Sequence, residues 1–327
     1  MKDWFSPVLF LCRFVLSLFL QYFYTITTIR LLSVMNSISV LHIELFQSGR
    51  NTSDFYFNTM KEHLVVGHSH IEKPHRHDFY AAVLFTKGKG IHEIDFHKYD
   101  VSEGSLFFLS PGQIHSWELS EDIDGYIFFC SQEFYEIHYV SQKLRNFPFF
   151  GSISFPRKLQ LDTDELHKKN SLFQELGKEH KSQGVMKEGA ILSLMSQIFI
   201  NATRLFSKDI DIRSSSASLS YFKHYQDFEN LVEQNFTTHK SISHYASLLG
   251  MTPKHLNRIA QTVVQKTATD VITERVVLEA KRMLMYLDEG LVEIAFRLGY
   301  EEYSYFVRVF RKSSGMTPTQ FMRKYKA

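Results

Sequence analysis

The pentapeptide Ala246-Ser247-Leu248-Leu249-Gly250 returns 49 residues later as Ala295-Phe296-Arg297-Leu298-Gly299. Each copy reads as the end of a helix. The small Ala admits a neighbouring helix, the final Leu buries, and Gly takes the left-handed geometry that stops the helix and opens a tight turn. The residues after each Gly also repeat, with one extra residue in the second turn. Leu256, Arg258 and Ile259 answer Phe306, Arg308 and Val309, and Thr267 and Thr269 answer Thr317 and Thr319. A repeat of turn, stripe and Thr pair is far harder to obtain by chance than a single match.

Outward from the repeat, Lys254, Asn257, Arg258 and Gln261 fall at i, i+3, i+4 and i+7, and Leu256, Ile259, Ala260 and Val263 repeat that spacing two positions on. Two residues rotate a helix by about 200°, so polar and apolar stripes lie on opposite faces. Ser304, Arg308 and Arg311 form the matching polar stripe against Phe306, Val309 and Phe310. Arg has two donors for a guanine edge, and Asn or Gln pairs with adenine in the major groove. Lys312, Lys324 and the hydroxyls near helix starts suit phosphates. Residues 268–287 read as one linker helix, about 30 Å long, close to the ~34 Å between successive major-groove faces.

At 44% hydrophobic and 22% charged residues, the 327-residue chain has ordinary soluble composition and room for two cores. The net charge is only +2, yet positions 305–327 hold six basic residues and no acidic one, placing the basic surplus beside the second stripe. Cys12 and Cys130 lie far apart without metal-type spacing, so neither a disulfide framework nor a zinc site is suggested, and a reducing, cytoplasmic setting fits best. Residues 14–29 form an apolar run between Arg13 and Arg30. It is short for a membrane span, which wants about 20 residues. Residues 1–34 therefore read as sequence upstream of a start at Met35, with a membrane-tethered regulator as the alternative.

Residues 36–160 alternate as short strands between Gly, Pro and charged turns, the pattern of an antiparallel barrel. The period turns helical over 161–213, where Ile191, Leu192, Met195, Ile198, Phe199, Ala202 and Leu205 make one apolar stripe. That stripe suits either packing on the barrel or a homodimer face. The polar tract at 214–220 reads as a linker, with the helical domain at 221–327. The expected architecture is multidomain: an N-terminal all-β barrel followed by helices, then an all-α domain of two helix-turn-helix units joined by a linker helix.

The run Ala295-Phe-Arg-Leu-Gly-Tyr300, then Ser304-Tyr-Phe-Val-Arg-Val-Phe-Arg-Lys312, then Gly315-Met-Thr-Pro318, resembles the signature of the AraC/XylS family over roughly residues 239–325. The resemblance implies a bacterial transcription factor, usually an activator, that contacts double-stranded promoter DNA and often RNA polymerase. It places base contacts on Lys254, Asn257 and Arg258, and on Tyr303, Ser304 and Arg308. Tyr303 departs from the Pro or Gln common there, which leaves stacking or a phosphate as its role.

Pro74-His-Arg-His-Asp-Phe-Tyr80, followed by Gly104-Ser-Leu-Phe-Phe-Leu-Ser-Pro-Gly-Gln-Ile-His115, resembles the cupin barrel that precedes the DNA-binding domain in many such regulators. His75, His77 and His115 are the metal alternative. Ala81 and Ala82 stand where a metal cupin carries its Glu, with His92 or Glu93 as the only substitutes nearby. The reading is therefore no cofactor and no enzyme, with a metal-dependent cupin dioxygenase or isomerase as the alternative. An unknown small-molecule effector is expected among His75, His77, Tyr80, His92, His115 and Trp117, with Phe107 beside them.

Overall fold

The computed structural model describes residues 40–47, 54–71, 73–140, 142–206, 216–287 and 289–325. The reading of residues 1–34 lies outside the described residues. The N-terminal part holds two five-stranded sheets. The first runs β1 (Val40–Leu41), β3 (His75–His77), β8 (Ile114–Leu119), β5 (Gly90–Ile94), β6 (His97–Val101) in space. The second runs β10 (Lys158–Gln160), β7 (Ser105–Leu109), β4 (Tyr80–Lys87), β9 (Asp124–Cys130), β2 (Phe55–Thr59).

The second sheet is covered on both faces, which explains its unbroken apolar runs. Ala81, Val83 and Phe85 of β4 face the space between the sheets with Phe107 and Phe129, whereas Tyr80, Ala82 and Leu84 face a helical layer. That layer is built chiefly by α4 (Thr163–Lys181) and α5 (Lys187–Phe206), with α2 (Gln132–Glu136) and α3 (Pro148–Gly151) at its side. The α5 stripe expected for packing or dimerisation is committed within the chain: Ile191, Leu192, Met195, Ile198, Phe199 and Ala202 are all buried against this sheet. By length and composition α5 alone among the described helices could cross a membrane. Its apolar stripe already has a partner.

Two elements differ from expectation. Residues 60–71 form a helix, α1 (Met60–Ile71), inside the stretch read as strands. Thr59 Oγ1 accepts from Glu62 N and donates to Glu62 Oε2, a reciprocal start signal that overrides the strand pattern. Positions 216–220, read as linker, are the first residues of α6 (Ser216–Asn235). Ser serves at helix starts as readily as in linkers.

The helical domain continues with α7 (Ile242–Leu248), α8 (Pro253–Val264), α9 (Ala268–Tyr286), α10 (Leu291–Arg297), α11 (Tyr303–Ser314) and α12 (Pro318–Tyr325). Its core is in two clusters. Tyr225, Phe228, Tyr245, Leu256, Ile259 and Ile272 fill the first unit, and Val276, Leu284, Ile294, Phe306, Phe310 and Phe321 fill the second. Helix α9 contributes to both. The units also touch directly, where Lys240 Nζ donates to the Thr237 and Gly299 carbonyls at 3.1 and 3.2 Å and lies over the Tyr300 ring.

Candidate functional site

Both pentapeptides end as their residues require. Helices α7 and α10 stop at Leu249 and Leu298, and Gly250 and Gly299 come next with φ of +64° and +76°. Each turn delivers a 12-residue helix, α8 and α11. Thr252 Oγ1 accepts from His255 N to cap α8, with Pro253 in its first turn. The repeat extends into the third helices. Thr267 caps α9 in a reciprocal box with Asp270, and Thr317 exchanges the equivalent pair of bonds with Gln320 at the start of α12.

On α8, Leu256, Ile259, Ala260 and Val263 are buried, while Lys254, Arg258 and Gln261 are exposed. Arg258 donates to His255 Nδ1 at 2.8 Å and lies 5.7 Å from the Tyr221 ring centre, which orders its guanidinium at the surface. Asn257 is different. It is half-buried, and its Oδ1 accepts the N–H of Ala268 at 2.9 Å, so half of its amide is engaged in holding α9.

On α11, Phe306 and Phe310 are buried, and Ser304, Arg308, Arg311 and Lys312 are exposed. Tyr303 is half-buried with its ring 6.2 Å from Phe306, so it packs as much as it presents. Arg308 lies 5.6 Å from the Tyr305 ring centre. Arg308 and Lys312 line one wall of a groove of about 560 Å³ whose other wall is Thr269, Asp270, Thr273 and Glu274 of α9.

The expected effector residues gather on the inner face of the first sheet. His75 pairs with His115 across the strands, and His92 with Trp117. Ring centres stand 4.3 Å apart for His75 and His115, 5.2 Å for His77 and His115, and 5.3 Å for His92 and His115. His77 Nδ1 lies 2.7 Å from the Phe79 carbonyl, which fixes its proton there and leaves Nε2 as an acceptor. His92 Nε2 meets His115 Nδ1 at 3.1 Å. Among the described residues, His77 Nε2, His92 Nδ1, His115 Nε2 and Trp117 Nε1 are buried without a hydrogen-bond partner. Burial, reinforced by the neighbouring His75 imidazole, pushes the His77 pKa down to about 3 and those of His92 and His115 well below the usual range, so these three rings are held neutral. The cluster thus offers both donors and acceptors to a polar molecule.

Tyr80 does not join it. The pleat turns Tyr80 to the opposite face, against Phe150 at 4.9 Å. His63 of α1 does join, 6.1 Å from Trp117 and bonded to the Tyr56 hydroxyl. Sequence reading missed it because it missed α1, whose signal was the Thr59–Glu62 box. The metal alternative called for a further ligand beside the histidines. Glu93, next to inward His92, pairs instead with Lys98, and among the described residues no three His, Cys, Asp or Glu are arranged to hold an ion.

Two matched, exposed recognition helices on one linker helix, joined to a double-sheet sensing domain, define a DNA-binding transcriptional regulator. The comparisons agree: a helix-turn-helix domain model matches residues 245–324 and an AraC-like ligand binding domain model matches 66–194. The chain is a regulator of the AraC family. Curated relatives include the HTH-type transcriptional activator RhaR of Mannheimia succiniciproducens, 22% identical over 83% of this chain and 95% of that protein. RhaR of Yersinia pseudotuberculosis serotype O:3 is 20% identical over 77% of this chain and 84% of that protein. Among solved structures, ToxT of Vibrio cholerae O395 is 12% identical, with a TM-score of 0.38 over 84% of this chain and 99% of that one.

Proposed function

We propose that this chain is an effector-responsive transcriptional activator of the bacterial cytoplasm, in which α8 and α11 read two adjacent major-groove faces of promoter DNA. The observation that carries the reading is the pair of exposed polar stripes on equivalent helices, each anchored by a buried apolar face. Lys254, Arg258, Gln261 and the free half of the Asn257 amide serve the first box. Ser304, Arg308 and Arg311 serve the second, with Tyr303 at its edge and Lys312 on phosphate. The 19 residues of α9 span about 28 Å, near the separation of successive groove faces. An activator of this kind meets RNA polymerase as its protein partner. The α5 stripe no longer supports a homodimer, since it is buried at home.

The unpartnered buried donors and acceptors of His77, His92, His115 and Trp117 support a small polar molecule as the effector. No enzymatic role is assigned, since the one arrangement that suggested it lacks a carboxylate ligand. The test is selection of duplexes from a random-sequence pool by the full chain, followed by affinity measurement on the enriched sequence with wild type and Arg308→Ala. Two boxes about one helical turn apart are expected, with Arg308→Ala weakening the second by about 1–3 kcal/mol. Enrichment of no sequence would overturn the reading.

A further inference from the structure

The β5–β6 hairpin turns in two residues, since Ile94 pairs with His97, and both turn residues are left-handed: Asp95 at φ 47° and Phe96 at φ 70°. Turns of this hand favour Asn-Gly or Asp-Gly, because glycine carries no side chain to strain. An aromatic residue there costs about 1–2 kcal/mol. Such strain persists only where the surroundings over-determine it.

Those surroundings belong to the DNA-reading domain. The Phe96 ring meets Phe321 and Tyr325 of α12 edge-on, with centres 5.2 and 5.7 Å away. Asp95 accepts two bonds from Arg282 of α9, from Nε at 2.9 Å and Nη2 at 2.7 Å. It also accepts from Gln113 Nε2 and the Ile114 N–H, and is 7% exposed. Burial pushes the carboxyl up, but Arg282, Gln113 and Ile114 together outweigh it and keep Asp95 ionised. A second contact reaches the first unit, where Ser152 donates to Glu229 and Tyr225 donates to Ser154. The sensing domain therefore grips both units. Its grip on the second leaves Ser304, Arg308, Arg311 and Lys312 exposed.

We propose that the Asp95–Phe96 turn is a positioning element for DNA reading: docked on Arg282, Phe321 and Tyr325, it holds the second helix-turn-helix unit so that DNA meets two readers already ordered. This rests on the reading that both stripes contact DNA. Ordering before binding removes a conformational cost from the binding step. Ile114, which donates to Asp95, adjoins His115, so the turn also lies within one residue of the histidine cluster.

The test uses the full chain carrying Asp95→Asn and Phe96→Gly together. Asn-Gly is the preferred sequence for such a turn, so the hairpin keeps its fold while the ion pair and both ring contacts are lost. Hydrogen exchange reads the docking, and affinity for the duplex enriched by wild type reads the consequence. Faster exchange in α12, unchanged or slower exchange in β5 and β8, and affinity weakened about tenfold are expected. Unchanged exchange in α12 overturns the docking. Faster exchange with affinity equal to or above wild type overturns the positioning role. A wild-type chain that enriches no duplex fails at the DNA reading beneath, a different observation from either.

Discussion

Asn257 on the first recognition helix accepts, through Oδ1, the backbone N–H of Ala268 at the start of the linker helix, at 2.9 Å. One side chain thus belongs to the helix proposed to read DNA and to the joint behind it. Asn257→Ala should cost about 0.5–2 kcal/mol of stability by leaving a helix-start N–H without its acceptor. Asn257→Asp keeps the acceptor and so should melt near wild type, while its charge weakens DNA binding. Denaturation and affinity measured on both variants check this, and equal melting losses would remove the joint role.

The two turn glycines should respond unequally to the same substitution. At Gly250 an added methyl group meets nothing within 4 Å, leaving backbone strain of about 1–2 kcal/mol at φ +64°. At Gly299 it overlaps the Thr237 carbonyl oxygen as well as straining φ +76°. Gly299→Ala is expected to unfold the second unit at markedly lower denaturant than Gly250→Ala unfolds the first. Similar midpoints would show that the 237–299 contact yields freely.

Two sets of buried groups should pull stability in opposite directions over the same acidic range. Burial holds the His63 and His77 pKa values at about 3 and those of His92 and His115 well below 6.5. Below pH 6.5 the unfolded chain gains protons that the folded cluster refuses, so stability is lost between about 6.5 and 3, by up to about 1.4 kcal/mol per pH unit per group. Glu229 runs the other way. Burial raises its pKa from 4.5 to about 7 despite the Ser152 and Tyr225 hydrogen bonds, so its neutral form stabilises fully below 4.5 and that stability is lost between about 4.5 and 7. Denaturant titrations from pH 4 to 9 should show stability rising toward pH 6.5 as the histidine gain exceeds the Glu229 loss, and Glu229→Gln, which removes the opposing loss, should steepen that rise between about 4.5 and 6.5; an unchanged slope would remove Glu229 from the balance.

Salt dependence separates the roles within the second stripe. Lys312→Ala should weaken binding evenly across sequences and reduce the slope of log affinity against log salt by about 0.9. Arg308→Ala should instead relax preference at one base pair. Identical salt slopes for wild type and Lys312→Ala would remove Lys312 from the phosphate contacts.

The repeat was legible because its signals are local: glycine stops, threonine caps and a 3.6-residue stripe all lie within a few residues of one another. The two-sheet domain was legible for the same reason, from alternation and turn residues. What sequence hid depends on partners far along the chain. Tyr80 and His77 look alike in a motif, yet the pleat sends them to opposite faces. The α5 stripe has one appearance for two fates, and only the sheet lying against it decides between them. Asp95 and Arg282 are separated by 187 positions, and the sole local hint of their meeting is a phenylalanine where a turn prefers glycine.

The contact of Lys240 with Gly299 and Tyr300 joins the end of one unit's approach to the turn of the other. It makes the duplicated halves non-interchangeable, with a leading unit and a trailing one in fixed sequence. A symmetric pair of subunits sees the same site from either end. On the proposed reading, this chain has a heading on the double helix, and an inverted copy of its site would be a different address.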